Sequence, residues 1–129
     1  MSSLRFSRSL LLVLSLLLAP CFPAHAQDVE VASGPICDTQ EQVEQFVALF
    51  DGDAQSTAEK VNAAEHNPTA CVVSGMAYVR GRSLARTRAQ ETTFQIVPIL
   101  VLGVVTANGI QAVAPTRYFS AIRVEEISV

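Results

Sequence analysis

Residues 94–113 read FQIVPILVLGVVTANGIQAV: a long apolar run, an Asn-Gly pair and a second short run. Two β-rich runs separated by Asn108-Gly109 predict a tight hairpin, because both residue types tolerate the positive φ of a two-residue type I′ loop. From Ile96 to Val105 the run is apolar at both parities. A strand covered on one face alternates, so this one is expected to be buried on both faces or to curl across a barrel. Pro98 has no N–H and suits a bulge or an unpaired edge, while Gly103 permits the bend of a barrel corner. This ten-residue run, interrupted by a proline and a glycine, is too short for a membrane span, which needs about 20 residues.

Working outward, Pro115 reads as a break and a last strand is predicted from Arg117 to Ile127. Its alternation sets Tyr118, Ser120, Ile122 and Val124 against Phe119, Ala121, Arg123 and Glu125. Upstream, Cys71–Val73 and Met76–Val79 form a strand flanking Ser74-Gly75, the site of a bulge or a close backbone approach. Arg80-Gly81 ends that strand. Residues 81–91 (GRSLARTRAQE) are polar and read as an extended loop or one helical turn.

Before the strands the period changes to helical. Asp38 stands as N-cap with Glu41 three positions on, and Val43, Phe46, Val47 and Phe50 follow at i, i+3, i+4 and i+7. Asp51-Gly52 ends that helix, glycine suiting the left-handed position after a helix. A second helix is predicted from Ala54 to Glu65 with Asp53 as N-cap and a shallow apolar face of Ala58, Val61, Ala63 and Ala64. Asn67-Pro68 stops it, since the residue before proline is pushed out of the α region. Helices first and consecutive strands after predict an α+β fold. It would be an N-terminal helical pair packed on a small antiparallel sheet, or an SH3-like barrel, of about four strands.

Residues 1–26 read as a signal peptide: Arg5 and Arg8, the apolar stretch Leu10–Ala19, then Ala24-His25-Ala26, with cleavage after Ala26. Cys21 follows Pro20, where a lipidation signal needs a small residue. Residues 27–36 read as a flexible lead-in with a Ser-Gly-Pro breaker, and residues 37–129 as one small domain. The 103-residue mature chain keeps seven of nine basic residues and all twelve acidic ones, a formal charge of −5. That balance gives no reason to expect nucleic acid or an anionic membrane as partner. Its two cysteines, Cys37 and Cys71, are expected to pair as a disulfide, as an even number does in an exported chain. Closing a loop of about 34 residues stabilises by roughly 3–4 kcal/mol in the chain-entropy model.

Catalytic patterns are sparse. The mature chain has one histidine, His66, next to a helix stop, with no motif supplying a nucleophile and an orienting carboxylate. Gly-x-Ser-x-Gly, His-Glu-x-x-His, P-loop and Gly-x-Gly-x-x-Gly patterns are absent, and nothing implies a cofactor. Asp51-Gly52-Asp53 lacks the glycine and glutamate of a calcium loop and reads as a helix end followed by the next N-cap. The distinctive charged feature is Arg80, Arg82, Arg86 and Arg88. Guanidinium groups grip oxyanions in bidentate fashion, so the cluster is a candidate anion site. The competing reading is internal: residues 28–65 carry nine acidic groups against one lysine, and the arginines would face them.

The order Cys37, capped helix, EHNPTAC (65–71), AYVRG (77–81), FQIVPILVLGVV (94–105) and RVEE (123–126) resembles small exported proteins of alphaproteobacteria, of rhizobial type. The resemblance covers about residues 36–127 and matches the paired cysteines. It implies a periplasmic or secreted home and brings no catalytic residues. The expectation is a non-enzymatic binding module of the cell envelope, acting through a sheet edge or the arginine loop on an envelope protein, a glycan or an anionic ligand. The alternative is a small hydrolase-like enzyme using His66 with nearby carboxylates.

Overall fold

The structure, a computed structural model, describes residues 28–124. The signal peptide, its cleavage point after Ala26 and the predicted strand end at Glu125–Ile127 lie outside the described residues. Seven elements follow in the order β1 (Val29–Cys37), α1 (Gln40–Leu49), α2 (Ala54–Glu65), β2 (Cys71–Arg80), β3 (Ala85–Ala89), β4 (Thr92–Thr106) and β5 (Gly109–Arg123). The class is α+β as predicted, with an antiparallel sheet of five strands rather than about four. The helices are not N-terminal; they sit between β1 and β2.

The flexible lead-in is therefore a correction. Residues 29–37 pair along their whole length with β2, from Val29 opposite Val79 to Cys37 opposite Cys71. Pro35, taken as a breaker, is tolerated because of where it points. Its carbonyl accepts the Ser120 hydroxyl at 2.6 Å on the β5 side, and β1 meets β5 only at Cys37 opposite Phe119. Proline's missing N–H thus falls on an edge with almost no ladder to lose.

The sheet order is β2-β1-β5-β4-β3, and β2 also pairs with β4 from Met76–Arg80 to Ile99–Val104. The pairings of β1, β2, β4 and β5 therefore close on themselves, and β3 extends the same edge of β4 that β2 occupies further along. The two-sided apolar run is explained by this arrangement. Phe94 and Ile96 face the helices, in a core with Val43, Phe46, Val47, Phe50, Ala58 and Val61. Val97, Ile99 and Val101 face the other way, in a second core with Met76 and Tyr78. On β5, Phe119 and Ala121 join the helical core while Tyr118 and Ile122 join the second, as the alternation predicted.

Helix α1 buries the predicted stripe: Val43, Phe46, Val47 and Phe50 keep no more than 6 % exposure. Each such side chain contributes about 1.5–3 kcal/mol on leaving water. Phe50 also meets Phe94 edge-on, with ring centroids 5.1 Å apart. The cap lies one residue later than expected: Thr39, not Asp38, accepts from Gln42 N, and Gln42 rather than Glu41 returns the bond to Thr39 N. Asp53 caps α2 as predicted, accepting from Ser56 N at 2.9 Å. Asp51 locks the turn between the helices, accepting from Asp53 N, Ser56 Oγ, Thr57 Oγ1 and Lys60 Nζ. The Lys60 contact first, then the other bonds, hold its carboxyl well below its ordinary value.

Cys37 and Cys71 form the expected disulfide, opposite each other in the β1–β2 register. Asn62 of α2 clamps the same point: its amide donates to the carbonyls of Cys71 and Pro68, and its oxygen accepts from Cys71 N at 2.7 Å.

Three turn readings change. The β4–β5 loop is Ala107-Asn108, because Thr106 pairs with Gly109. Positive φ is confined to Gly109 (105°), so the loop is not the type I′ turn centred on Asn108-Gly109. Thr106 Oγ1 accepts from Asn108 N and donates to the Gly109 carbonyl, which holds the turn one residue early. Pro115 does not break β5. Val113, Ala114 and Pro115 stand opposite the single residue Leu102, between the pairs Val101–Thr116 and Gly103–Ala112, so a bulge absorbs the missing N–H. That register shift lies beside Gly103, where an added Cβ would sit 2.9 Å from Ile110 Cγ2. Gly75 marks a close approach, since an added Cβ would sit 2.8 Å from Val105 Cβ.

Candidate functional site

Within residues 81–91, read as an extended loop or one helical turn, 81–84 are loop and 85–89 form a strand. After Arg80 the chain leaves β4 for only a few residues, with Gly81 N donating to Pro98 O and Leu84 N to Ile96 O, both at 2.8 Å. Pro98, which has no N–H to return, faces this interruption. The chain then re-pairs as β3, Ala85 opposite Ile96 through Ala89 opposite Thr92. β3 is the terminal strand of the sheet and its far side is open. Its turn into β4 is a two-residue loop in which Gln90 (φ 50°) and Glu91 (φ 62°) are both left-handed. That is a type I′ geometry built without the usual Asn or Gly.

Strand alternation sorts the β3 side chains. Ala85, Thr87 and Ala89 are half-buried, whereas Arg86 and Arg88 project into solvent. Arg82 is exposed in the segment before β3. The four arginines divide sharply by partner. Arg80 grips Glu30 of β1 in bidentate fashion, Nε to Oε2 at 2.9 Å and Nη2 to Oε1 at 2.8 Å. Glu30 first of all raises its pKa above the ordinary arginine value. For Arg80 the internal reading holds, and it is removed from the candidate anion set. Arg82, Arg86 and Arg88 make no ion pair with any described carboxylate.

Beside this edge runs a groove of about 490 Å³ between α1 and β3, lined by Glu44, Val47, Ala48, Thr87, Arg88 and Gln90 among others. One wall is helix and the other is the strand carrying the free arginines. Three exposed guanidinium groups, two on the edge strand and one just before it, can donate paired N–H groups to oxyanions without first breaking an ion pair within the described residues. β3 also presents main-chain donors and acceptors on its open side, which an extended chain can pair with.

His66 is elsewhere. It is the exposed left-handed cap of α2 (φ 53°), on an open depression with Glu59, Asn62, Ala63, Asn67 and Pro68. It makes no side-chain hydrogen bond, and the structure does not bring it together with a nucleophile and an orienting carboxylate. Asp51-Gly52-Asp53 is the interhelical turn described above. Among the described residues no cluster of His, Cys, Asp and Glu could hold a metal ion. No helix among them is long and apolar enough to cross a membrane.

Sequence reasoning found the arginines but missed the strand that displays two of them. A signal existed: Ala85, Thr87 and Ala89 alternate with Arg86 and Arg88 at period two, which the charge count obscured. Comparison with protein-family models, curated proteins and solved structures found no match to the chain.

Proposed function

We propose that the chain is an exported, non-enzymatic binding domain of the cell envelope, periplasmic or secreted, that takes an anionic ligand at the open edge of β3. Arg82, Arg86 and Arg88 are the binding residues. One observation carries the reading: Arg80 satisfies itself on Glu30, while Arg86 and Arg88 on the edge strand and Arg82 just before it stand exposed, without an ion pair among the described residues. Charged residues also protect edge strands against aggregation, and that role accounts for a charge on β3. It does not account for a third free arginine on the approach to β3.

Export is supported by the buried disulfide, which persists in oxidising compartments, and by the leader-like first 26 residues. Kinship with the small alphaproteobacterial exported proteins belongs to the same proposal, as does a reading of the closed strand ring as a small SH3-like barrel.

The test is retention of the mature protein on a heparin-like polyanion and on a phosphate-bearing matrix across a salt series. Binding should weaken with salt and fall about tenfold for each of Arg82→Ala, Arg86→Ala and Arg88→Ala, the scale of one charge-assisted hydrogen bond lost. Arg117→Ala, at an exposed arginine on β5, controls for loss of charge alone. Unchanged binding by Arg82→Ala/Arg86→Ala, or an equal loss with Arg117→Ala, removes the site.

A further inference from the structure

The sheet has a second open edge, of opposite character to β3. In the backbone ladder β5 pairs with β1 at one residue pair, Cys37–Phe119, because β1 ends there and the chain turns away into α1; a side-chain bond from Ser120 to the Pro35 carbonyl is the further link. Residues 109–112 of β5 are therefore paired on the β4 side alone, residues 113–115 form the bulge, and every residue from 109 to 117 is exposed. From Gly109 to Ala114 the strand reads GIQAVA, with Ile110 at 56 % and Val113 at 37 % exposure. Val105, across the hairpin from Ile110, is 44 % exposed. No charged residue occurs between Val104 and Thr116. The run ends where Pro115 has no N–H and Thr116 Oγ1 donates to the Ala114 carbonyl at 2.9 Å.

An uncovered row of backbone donors and acceptors is a template for another strand, and proteins ordinarily blunt such edges with charge. This chain does so on β3, from which Arg86 and Arg88 project. β5 is left neutral. We infer that Gly109–Ala112 of β5 is a self-association edge, whose occupant is the same strand of a second copy, paired antiparallel about a twofold axis.

Charge pattern selects that occupant. A twofold places a strand against itself, so any charge near the axis meets its like, and like charges directly opposite are unfavourable. β3 could not pair with its own copy without setting arginine against arginine. The segment GIQA pairs with itself at no such cost, and its neutral side chains offer nothing a basic or acidic partner would select. The nine acidic residues between 28 and 65 lie on β1, the helices and their links, off this hairpin. Four residues span about 13 Å, a short contact, so the dimer is a weak one that forms only at high protein concentration. It leaves the β3 arginines uncovered and stands or falls independently of their role.

Sedimentation equilibrium of the mature protein over a concentration series tests this, with hydrogen exchange read at the same concentrations. The expected result is a reversible dimer whose backbone amides at residues 109–112 gain protection as concentration rises. Ala112→Lys, which sets like charges across the axis, should weaken association about tenfold or more. Ile110→Lys, at the exposed hairpin end, serves the same purpose should the first variant fail to fold, and an intact disulfide and unchanged far-UV spectrum establish folding. A protein that stays monomeric at all concentrations overturns the inference. So does a dimer that either folded lysine variant leaves intact, or one whose protected amides lie outside β5.

Discussion

Reducing the Cys37–Cys71 bond is expected to remove a large share of this domain's stability, and the magnitude follows from its position. The bond spans 34 residues of sequence, a loop that contains both helices. In the chain-entropy model a loop of that length restricts the unfolded state by about 4 kcal/mol, against a total of about 5–15 kcal/mol for a typical domain. At about 4–8 °C per kcal/mol for a chain of this size, the reduced protein should melt about 15–30 °C below the oxidised one. The folded state gives nothing back on reduction, because Cys37 and Cys71 are held opposite by the β1–β2 ladder whether or not the sulfurs are joined. The assay is thermal unfolding by circular dichroism with and without reductant, alongside Cys37→Ala/Cys71→Ala. That variant should melt lower still, since it also removes two sulfurs from positions with 0 % and 1 % exposure. A reduced protein melting within about 5 °C of the oxidised one would refute the reasoning, and would mean the unfolded chain is already confined between these residues.

Two smaller predictions concern turns. Asp51 has its carboxyl held below its ordinary value of 3.8, so the folded state keeps it ionised at pH values where the unfolded chain has begun to take up a proton. Its contribution is therefore fully present above about pH 4 and is lost as pH falls further, toward the folded-state value. Asp51→Asn should lower the melting temperature at neutral pH, with the gap closing on acidification and shrinking in salt because the Lys60 partner is half exposed; a gap that widens below pH 4 contradicts this. At the β3–β4 turn, Gln90 and Glu91 hold left-handed conformations that cost a side-chain-bearing residue roughly 1 kcal/mol or more each. Gln90→Asn/Glu91→Gly should raise stability by about 1 kcal/mol, and an unchanged or lower denaturant midpoint would show the turn is not strained.

The parts of the fold that could be read in advance are those where side-chain period and burial act in the same direction. The stripe Val43, Phe46, Val47 and Phe50 reports one buried helix face, and the β4 run reports two buried sheet faces, so both were legible. Proline and glycine misled because their effect depends on which side of a strand is paired. Pro35 and Pro115 have the same missing N–H that breaks a central strand. One lies on an almost unpaired edge and the other inside a bulge, where no ladder bond is lost. Edge and bulge are properties of the assembled sheet, so no local pattern around GPI or APT announces them. The same holds for Asn108-Gly109, where Thr106 bonds the turn and moves the loop one residue earlier than the dipeptide implies.

The arginines pose the same problem at the level of charge. Composition counts four in nine residues and opposes them to an acidic half, but that count does not say which of the four are paired. What decides is β1, the strand hidden under a Ser-Gly-Pro breaker. With Glu30 on β1 opposite Tyr78, Arg80 falls one diagonal step away and is captured. Arg86 and Arg88 are on β3, two strands removed from β5 and without any acidic strand beside them; their neighbours on β4 are Gln95 and Thr93. A strand that pairs with only one neighbour has no second strand to bring a carboxylate. The free arginines therefore follow from β3 being last in the sheet, and the neutral β5 edge follows from β1 ending at Cys37. Both candidate surfaces arise at the places where the ladder stops, which is why reading them required the topology first.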